Sequence, residues 1–187
     1  MDTLKILSEM NQTARDFFRK KGPLLDEVIE RTVENLEKGK KILAFGNGGS
    51  AAQSQHFAAE LVNKFLKKRP AIPAVSLTTD TSALTSIAND TDYSEVFFRQ
   101  IQALGNEQDV AVGLSTSGNS TSVVKALQEA KNRGLMTVAL TGQGGGKLAS
   151  IPDFLLDVPS SSTPRIQEVH LMVLHIMAQE IESRLSK

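Results

Sequence analysis

The chain has no cysteine among its 187 residues. Disulfides and thiolate metal sites are therefore excluded. There is no tryptophan and one tyrosine, and only three histidines, so imidazole chemistry must come from His56, His170 or His175. Neither sign of charge is in excess: 21 Lys and Arg balance 21 Asp and Glu, and the pI is near 6.8. The basic footprint of a nucleic-acid binder is absent. No run approaches the roughly 18 consecutive apolar residues of a membrane span. No basic head leads into an apolar run at the N-terminus, as a signal peptide would require. The expectation is a soluble, cytoplasmic protein with neither a membrane nor a nucleic-acid partner. What is present is 40% hydrophobic residues, enough for the core of one compact domain.

Residues 1–39 read as two helices. Leu4, Ile6, Leu7, Met10, Ala14, Phe17 and Phe18 recur at helical spacing. Gly22 and Pro23 act as stop and restart signals. This segment is expected at an oligomer interface or over the sheet. The chain then alternates. Short apolar runs at 41–46, 71–77, 109–115, 135–141 and 154–158 read as strands. Pro73 points to an edge or an irregular start for the second. Helices are expected at 50–66, 81–88, 93–104, 119–134 and 163–185, the last opened by Thr163 and Pro164. "TGQGGGK" (141–147) reads as a loose loop. Such alternation implies a parallel sheet with helices on both faces.

Ligands of open parallel sheets bind at the C-terminal ends of the strands. Two polar loops fall there, "GNGGS" (46–50) and "STSGNS" (115–120), each leading into a helix. Ser50, Ser115, Ser117 and Ser120 bring hydroxyls. Helix-start N–H groups add donors and positive dipole. Neither loop is a P-loop or a dinucleotide fingerprint, so no nucleotide cofactor is expected. A serine cradle without lysine suits a single phosphate monoester. Either loop alone reads equally as a tight connection with helix caps.

His56 and Glu60 lie four apart and share a helix face. Gln167 and His175 are eight apart, about 80° around their helix axis. If the two helices meet, His56, Glu60, Gln167 and His175 form one cluster. Two imidazoles and a carboxylate suit zinc, although a His-x-x-x-Glu pair is also an ordinary surface interaction. His170 falls on another side and reads as structural or bridging. A carboxylate about two turns from a bound phosphate is placed for proton abstraction.

These motifs together, "GNGGS" with "HFAAEL", then "IAND", "STSGNS", "TG…GG" and "RIQEVHLMVLH", make the whole chain similar to the SIS (sugar isomerase) family, and within it to the phosphoheptose isomerases. The resemblance implies a single SIS domain over 1–187. Its fold would be a three-layer αβα sandwich on a five-stranded parallel sheet, flavodoxin-like or Rossmann-like, behind N-terminal helices. The implied activity is conversion of sedoheptulose 7-phosphate to D-glycero-D-manno-heptose 7-phosphate, which begins ADP-heptose synthesis for lipopolysaccharide and other glycans. A homotetramer with sites made by neighbouring subunits is implied as well, with one zinc ion per subunit.

By motif, Asn47, Gly48 and Gly49 would touch substrate, and Ser50, Ser115, Ser117 and Ser120 would hold its phosphate. Asn89, Asp90, Thr116 and Gln167 would contact the sugar. Glu60 and His175 would be the acid/base pair, with Glu60 also against substrate. His56, Glu60, Gln167 and His175 would be the metal ligands. Pro164 replaces an aspartate, and Lys64 an arginine, found in some members; lysine keeps the charge but loses the planar fork. One SIS branch instead binds the replication initiator DnaA and lacks the catalytic glutamate and histidine. Both positions are filled here, by Glu60 and His175, which favours the enzyme. An isomerase or sensor for another phosphosugar is the other alternative.

Overall fold

The computed structural model describes residues 2–186. Five parallel strands, β1 (Ile42–Gly46), β2 (Ala74–Ser76), β3 (Val110–Ser115), β4 (Met136–Thr141) and β5 (Phe154–Asp157), form one sheet in the order β2-β1-β3-β4-β5. Every residue of β1 and β3 is buried. Strands covered on both faces read as unbroken apolar runs, which is why they are visible in the sequence. β2 is an edge strand of three residues, with Pro73 immediately before it, where its missing N–H costs no ladder bond.

Side chains alternate across the sheet and divide the core in two. Ile42, Ala44, Val110, Val112 and Leu114 meet the helices α1 (Thr3–Glu37), α2 (Gly49–Val62) and α6 (Thr163–Leu185). Leu43, Phe45, Ala111 and Ala139 face α4 (Val96–Leu104) and α5 (Thr121–Asn132). The helix α3 (Thr81–Asp90) has no buried residue and leans on this second layer through Leu84, Ile87 and Ala88. The three-layer αβα sandwich inferred from the sequence is the observed architecture. No helix among the described residues is long and apolar enough to cross a membrane.

The break expected at Gly22–Pro23 does not occur: α1 is one helix of 35 residues with Pro23 inside it. An interior proline removes a helical hydrogen bond and costs about 3 kcal/mol. Tertiary packing offsets it. Phe17, Leu25, Val28, Ile29 and Val33 keep one continuous buried stripe through the proline. Beside it Lys21 Nζ reaches Asp157 at 2.6 Å and the Leu155 carbonyl at 3.1 Å, fastening the helix to β5. At α6 the cap position is Ser162, with Thr163 and Pro164 already inside the first turn.

The strand order places a topological switch between β1 and β3, because the chain turns one way to β2 and the other way to β3. Gly46 pairs with Leu114, so the loops leaving the two strands open side by side at that crevice.

Candidate active site

Both serine-bearing loops stand at this switch point, where ligands of open α/β sheets bind. Gly48 (φ 55°) opens α2, and Ser120 opens α5 with its hydroxyl not engaged in capping. The first N–H groups of both helices are thus left without a side-chain cap, whereas Asp2 and Asp80 cap α1 and α3. The free N–H groups of a helix start can receive an anion. Ser50 and Ser115 are buried, and Ser115 Oγ accepts from Ser120 N at 3.4 Å. Ser117 is exposed and its Oγ accepts from Asn119 N at 3.1 Å. Thr116 is half-buried between them.

The 115–120 loop is braced from behind by the segment expected to be loose. Gly142 N donates to Thr116 O at 2.9 Å, Leu148 N to Gly118 O at 3.1 Å, and Lys147 N to Asn119 Oδ1 at 3.0 Å. Gly118 has φ 66°, and a Cβ there would fall 2.1 Å from the carbonyl oxygen of Gly145. Only glycine permits this backbone-on-backbone approach.

Asn47 is held by groups that no motif announced. Tyr93 Oη donates to Asn47 Oδ1 at 2.8 Å, and Asn47 Nδ2 donates to Ser122 Oγ at 3.0 Å. These three residues, with Ser94, Ser120 and Lys125, line an open pocket of about 390 Å³ beside the loops. Lys125 pairs with Glu95 at its rim.

The second half of the site lies between α2 and α6, which run alongside one another in the same direction. Their contacts climb in step. A Cβ on Gly49 would be 2.6 Å from Gln167 Nε2. Gln53 Nε2 donates to the Gln167 carbonyl at 2.7 Å. Further along, His56 Nε2 faces His175 Nε2 at 2.9 Å, and Glu60 Oε1 is 3.3 Å from His56 Nε2. His56 is exposed, while Glu60 and His175 are half-buried. The ring of Phe65 lies against His175 with centroids 5.6 Å apart.

The sequence places Gln167 in this cluster, and within one chain the structure does not. Eight residues on a helix return to nearly the same face but advance about 12 Å along it. Gln167 therefore sits one level down, against Gly49. Likewise Ser50 and Glu60 are ten residues apart, about 15 Å or nearly three turns, rather than two. Asn89 and Asp90 are exposed at the end of α3 and hydrogen-bond each other at 2.8 Å. Among the described residues no hydrogen bond joins them to the loops or to the imidazole pair. Lys64 is exposed beyond α2.

His170 is buried away from the pair, with Nε2 3.1 Å from Thr141 O and Nδ1 lacking a partner. Burial lowers its pKa to about 4 against a smaller opposing effect of the Thr141 carbonyl. It is a neutral core residue, in line with its structural reading from the sequence.

Two imidazole nitrogens and a carboxylate oxygen are zinc donor types. Among the described residues, no three or more His, Cys, Asp or Glu are already arranged to hold a metal ion. The two facing nitrogens, at 2.9 Å, are closer than the roughly 3.3 Å set by two Zn–N bonds at a tetrahedral angle. The donor chemistry fits, and a displacement of a few tenths of an ångström would open the pair to an ion.

Comparison with known proteins agrees with this geometry. Residues 7–142 match the SIS domain family model. A phosphoheptose isomerase of Desulfovibrio desulfuricans is 53% identical over 163 residues, 87% of this chain and 78% of that protein. One from Thermodesulfovibrio yellowstonii is 48% identical over 178 residues, covering 95% and 89%. The solved phosphoheptose isomerase of Neisseria gonorrhoeae superposes with a TM-score of 0.90 at 42% identity, covering 96% of each chain. With two serine-lined loops at the sheet's switch point, a Glu/His/His cluster on two adjoining helices and relatives of this closeness, the chain belongs to the phosphoheptose isomerase family of SIS-domain proteins.

Proposed function

We propose that the protein interconverts sedoheptulose 7-phosphate and D-glycero-D-manno-heptose 7-phosphate through an enediol. The observation that carries this reading is the cluster in which Glu60, His56 and His175 adjoin one another, 3.3 Å and 2.9 Å apart, in a chain whose serine loops suit a phosphate. Ser50, Ser115, Ser117 and Ser120 grip the phosphate, so binding energy remote from the reacting carbons orients the open-chain sugar. Glu60 removes a proton from C1 of the ketose. The C1–H electron pair becomes the C1–C2 double bond, and the C2 carbonyl oxygen takes a proton to give the enediol. Glu60 then returns its proton to C2 while the C1 hydroxyl loses one, leaving the aldehyde at C1. His175 moves the proton between the two oxygens. Asn47, Gly48, Gly49, Thr116, Asn89, Asp90 and Gln167 contact the sugar.

His56, Glu60 and His175 are proposed to hold zinc, with Gln167 as the fourth ligand; bound there, the ion would polarise the sugar carbonyl. The distance of Gln167 from His175 along α6 favours sites completed by neighbouring subunits of a homotetramer. So does the apolar surface at Leu4, Ile6 and Leu7, which are 77%, 44% and 47% exposed. The proposed place of this reaction is the cytoplasm, at the start of ADP-heptose synthesis. Incubation with sedoheptulose 7-phosphate, with and without chelator, followed by product identification tests substrate and chemistry together. Absence of the aldose product under both conditions refutes the reading.

A further inference from the structure

The loop after α2 encloses a buried ion pair that no part of the reaction uses directly. Arg69 and Glu182 have side chains only 1% and 2% exposed, with Nε 3.1 Å from Oε1. The rest of the guanidinium turns back onto the end of α2: Nη2 donates to the carbonyl of Glu60 at 2.8 Å and Nη1 to that of Leu61 at 2.7 Å. The carboxylate of Glu182 collects Phe65 N at 2.8 Å, Leu66 N at 2.7 Å and Lys67 N at 2.9 Å. Phe65, held by that bond, lays its ring on His175. Burial pushes the Glu182 carboxyl up, but the three N–H donors and the guanidinium outweigh it and hold it below the usual carboxylate range. It is ionised at neutral pH.

The pair thus reaches both ends of the reacting cluster, one through the main chain of Glu60 and the other through the ring of Phe65. Glu60 hangs on a carbonyl gripped by Arg69. His175 rests on a ring whose backbone is gripped by Glu182, seven residues further along His175's own helix. We propose that Arg69 and Glu182 are positioning residues, a buried clamp that sets the gap between the Glu60 carboxylate and the His175 imidazole. This rests on the isomerase reading and adds to it two residues outside every site motif. A bare structural staple would hold the loop equally well anywhere on α6. This one is joined to the main chain of the proposed base and to the packing partner of the proposed acid. The planar fork is essential, because one guanidinium serves the carboxylate and two carbonyls simultaneously, which an ammonium cannot match in geometry.

The test compares wild type with Arg69→Lys and Glu182→Gln at a temperature where both variants are folded by circular dichroism. The expected result is a kcat lowered on the order of 10- to 100-fold, as for small misplacements of reacting groups, with KM and inhibition by inorganic phosphate unchanged. Phe65→Leu, which leaves the ion pair whole, is expected to lower kcat in the same sense and provides the readout if the other variants do not fold. Wild-type kcat in the folded variants, or a loss carried by KM or phosphate affinity, would overturn the clamp. An inactive wild-type protein would instead overturn the isomerase reading beneath it.

Discussion

Nε2 of His56 and Nε2 of His175 stand 2.9 Å apart although 119 residues separate them in the chain. Two ring nitrogens meet this closely only when a proton or a cation lies between them, since two lone pairs would repel. Glu60 Oε1, 3.3 Å from the same His56 nitrogen, brings a carboxylate oxygen to the same point. The cluster is therefore suited to moving protons or binding a metal ion.

Removing the proposed base should show this first. Glu60→Gln keeps size and shape but cannot take a proton at neutral pH. It should lower kcat by roughly 10²- to 10⁴-fold, the usual contribution of general acid–base catalysis, and His175→Ala should do likewise. Steady-state formation of heptose 7-phosphate measures both, and near wild-type turnover in the pair would remove them from the mechanism.

The serine loops should govern affinity instead. Ser117→Ala deletes one hydroxyl from the proposed phosphate cradle. Losing a hydrogen bond to a charged group costs about 1.5 kcal/mol, or roughly tenfold, and the loss should fall mainly on KM. A fall in kcat at unchanged KM would detach this loop from ground-state phosphate binding.

Zinc content offers a measurement independent of turnover. The protein should retain about one zinc per chain after gel filtration, consistent with a site of two imidazoles and a carboxylate. His56→Ala and His175→Ala should each abolish that retention, and Ser117→Ala should not. Atomic emission on the purified variants decides it; equal metal content in all of them would remove zinc from the cluster.

Acid stability should depend on His170. Its folded pKa is about 4 against an ordinary 6.5. The unfolded chain therefore binds a proton that the folded one refuses. The stabilisation from keeping this ring neutral is complete above pH 6.5, declines as the pH falls, and is gone below about 4, a swing of ~3 kcal/mol. His170→Gln should flatten the fall of denaturation midpoint across that window, and an unchanged slope would assign the acid sensitivity to other groups.

The strands and serine loops were legible because two-sided burial writes itself as unbroken apolar runs ending in Gly and Ser. The Glu60, His56 and His175 cluster was legible from helical periodicity. Periodicity misled for Gln167, since it reports the angle around an axis and is silent about the rise along it. Pro23 was misread because the packing of Phe17, Leu25 and Val28 over the sheet outweighs a local helix-breaking signal. Arg69 and Glu182 lie 113 residues apart and match no motif. Only the folded chain shows that one charged pair ends α2 and anchors the loop behind it. Tyr93, which holds Asn47, was hidden for the same reason.

The glycine-rich stretch at 142–148 lies directly behind a loop proposed to grip substrate, and their main chains touch. A Cβ on Gly146 would stand 2.6 Å from the Ser117 carbonyl oxygen and 2.8 Å from Asn119 Oδ1, so bulk added there must push forward into the loop. A saturation screen scored on substrate affinity would therefore flag Gly146 as strongly as the serines themselves. Read without coordinates, such a map would outline a contact surface larger than the ligand could cover. The rear wall of this pocket is as intolerant of change as its face.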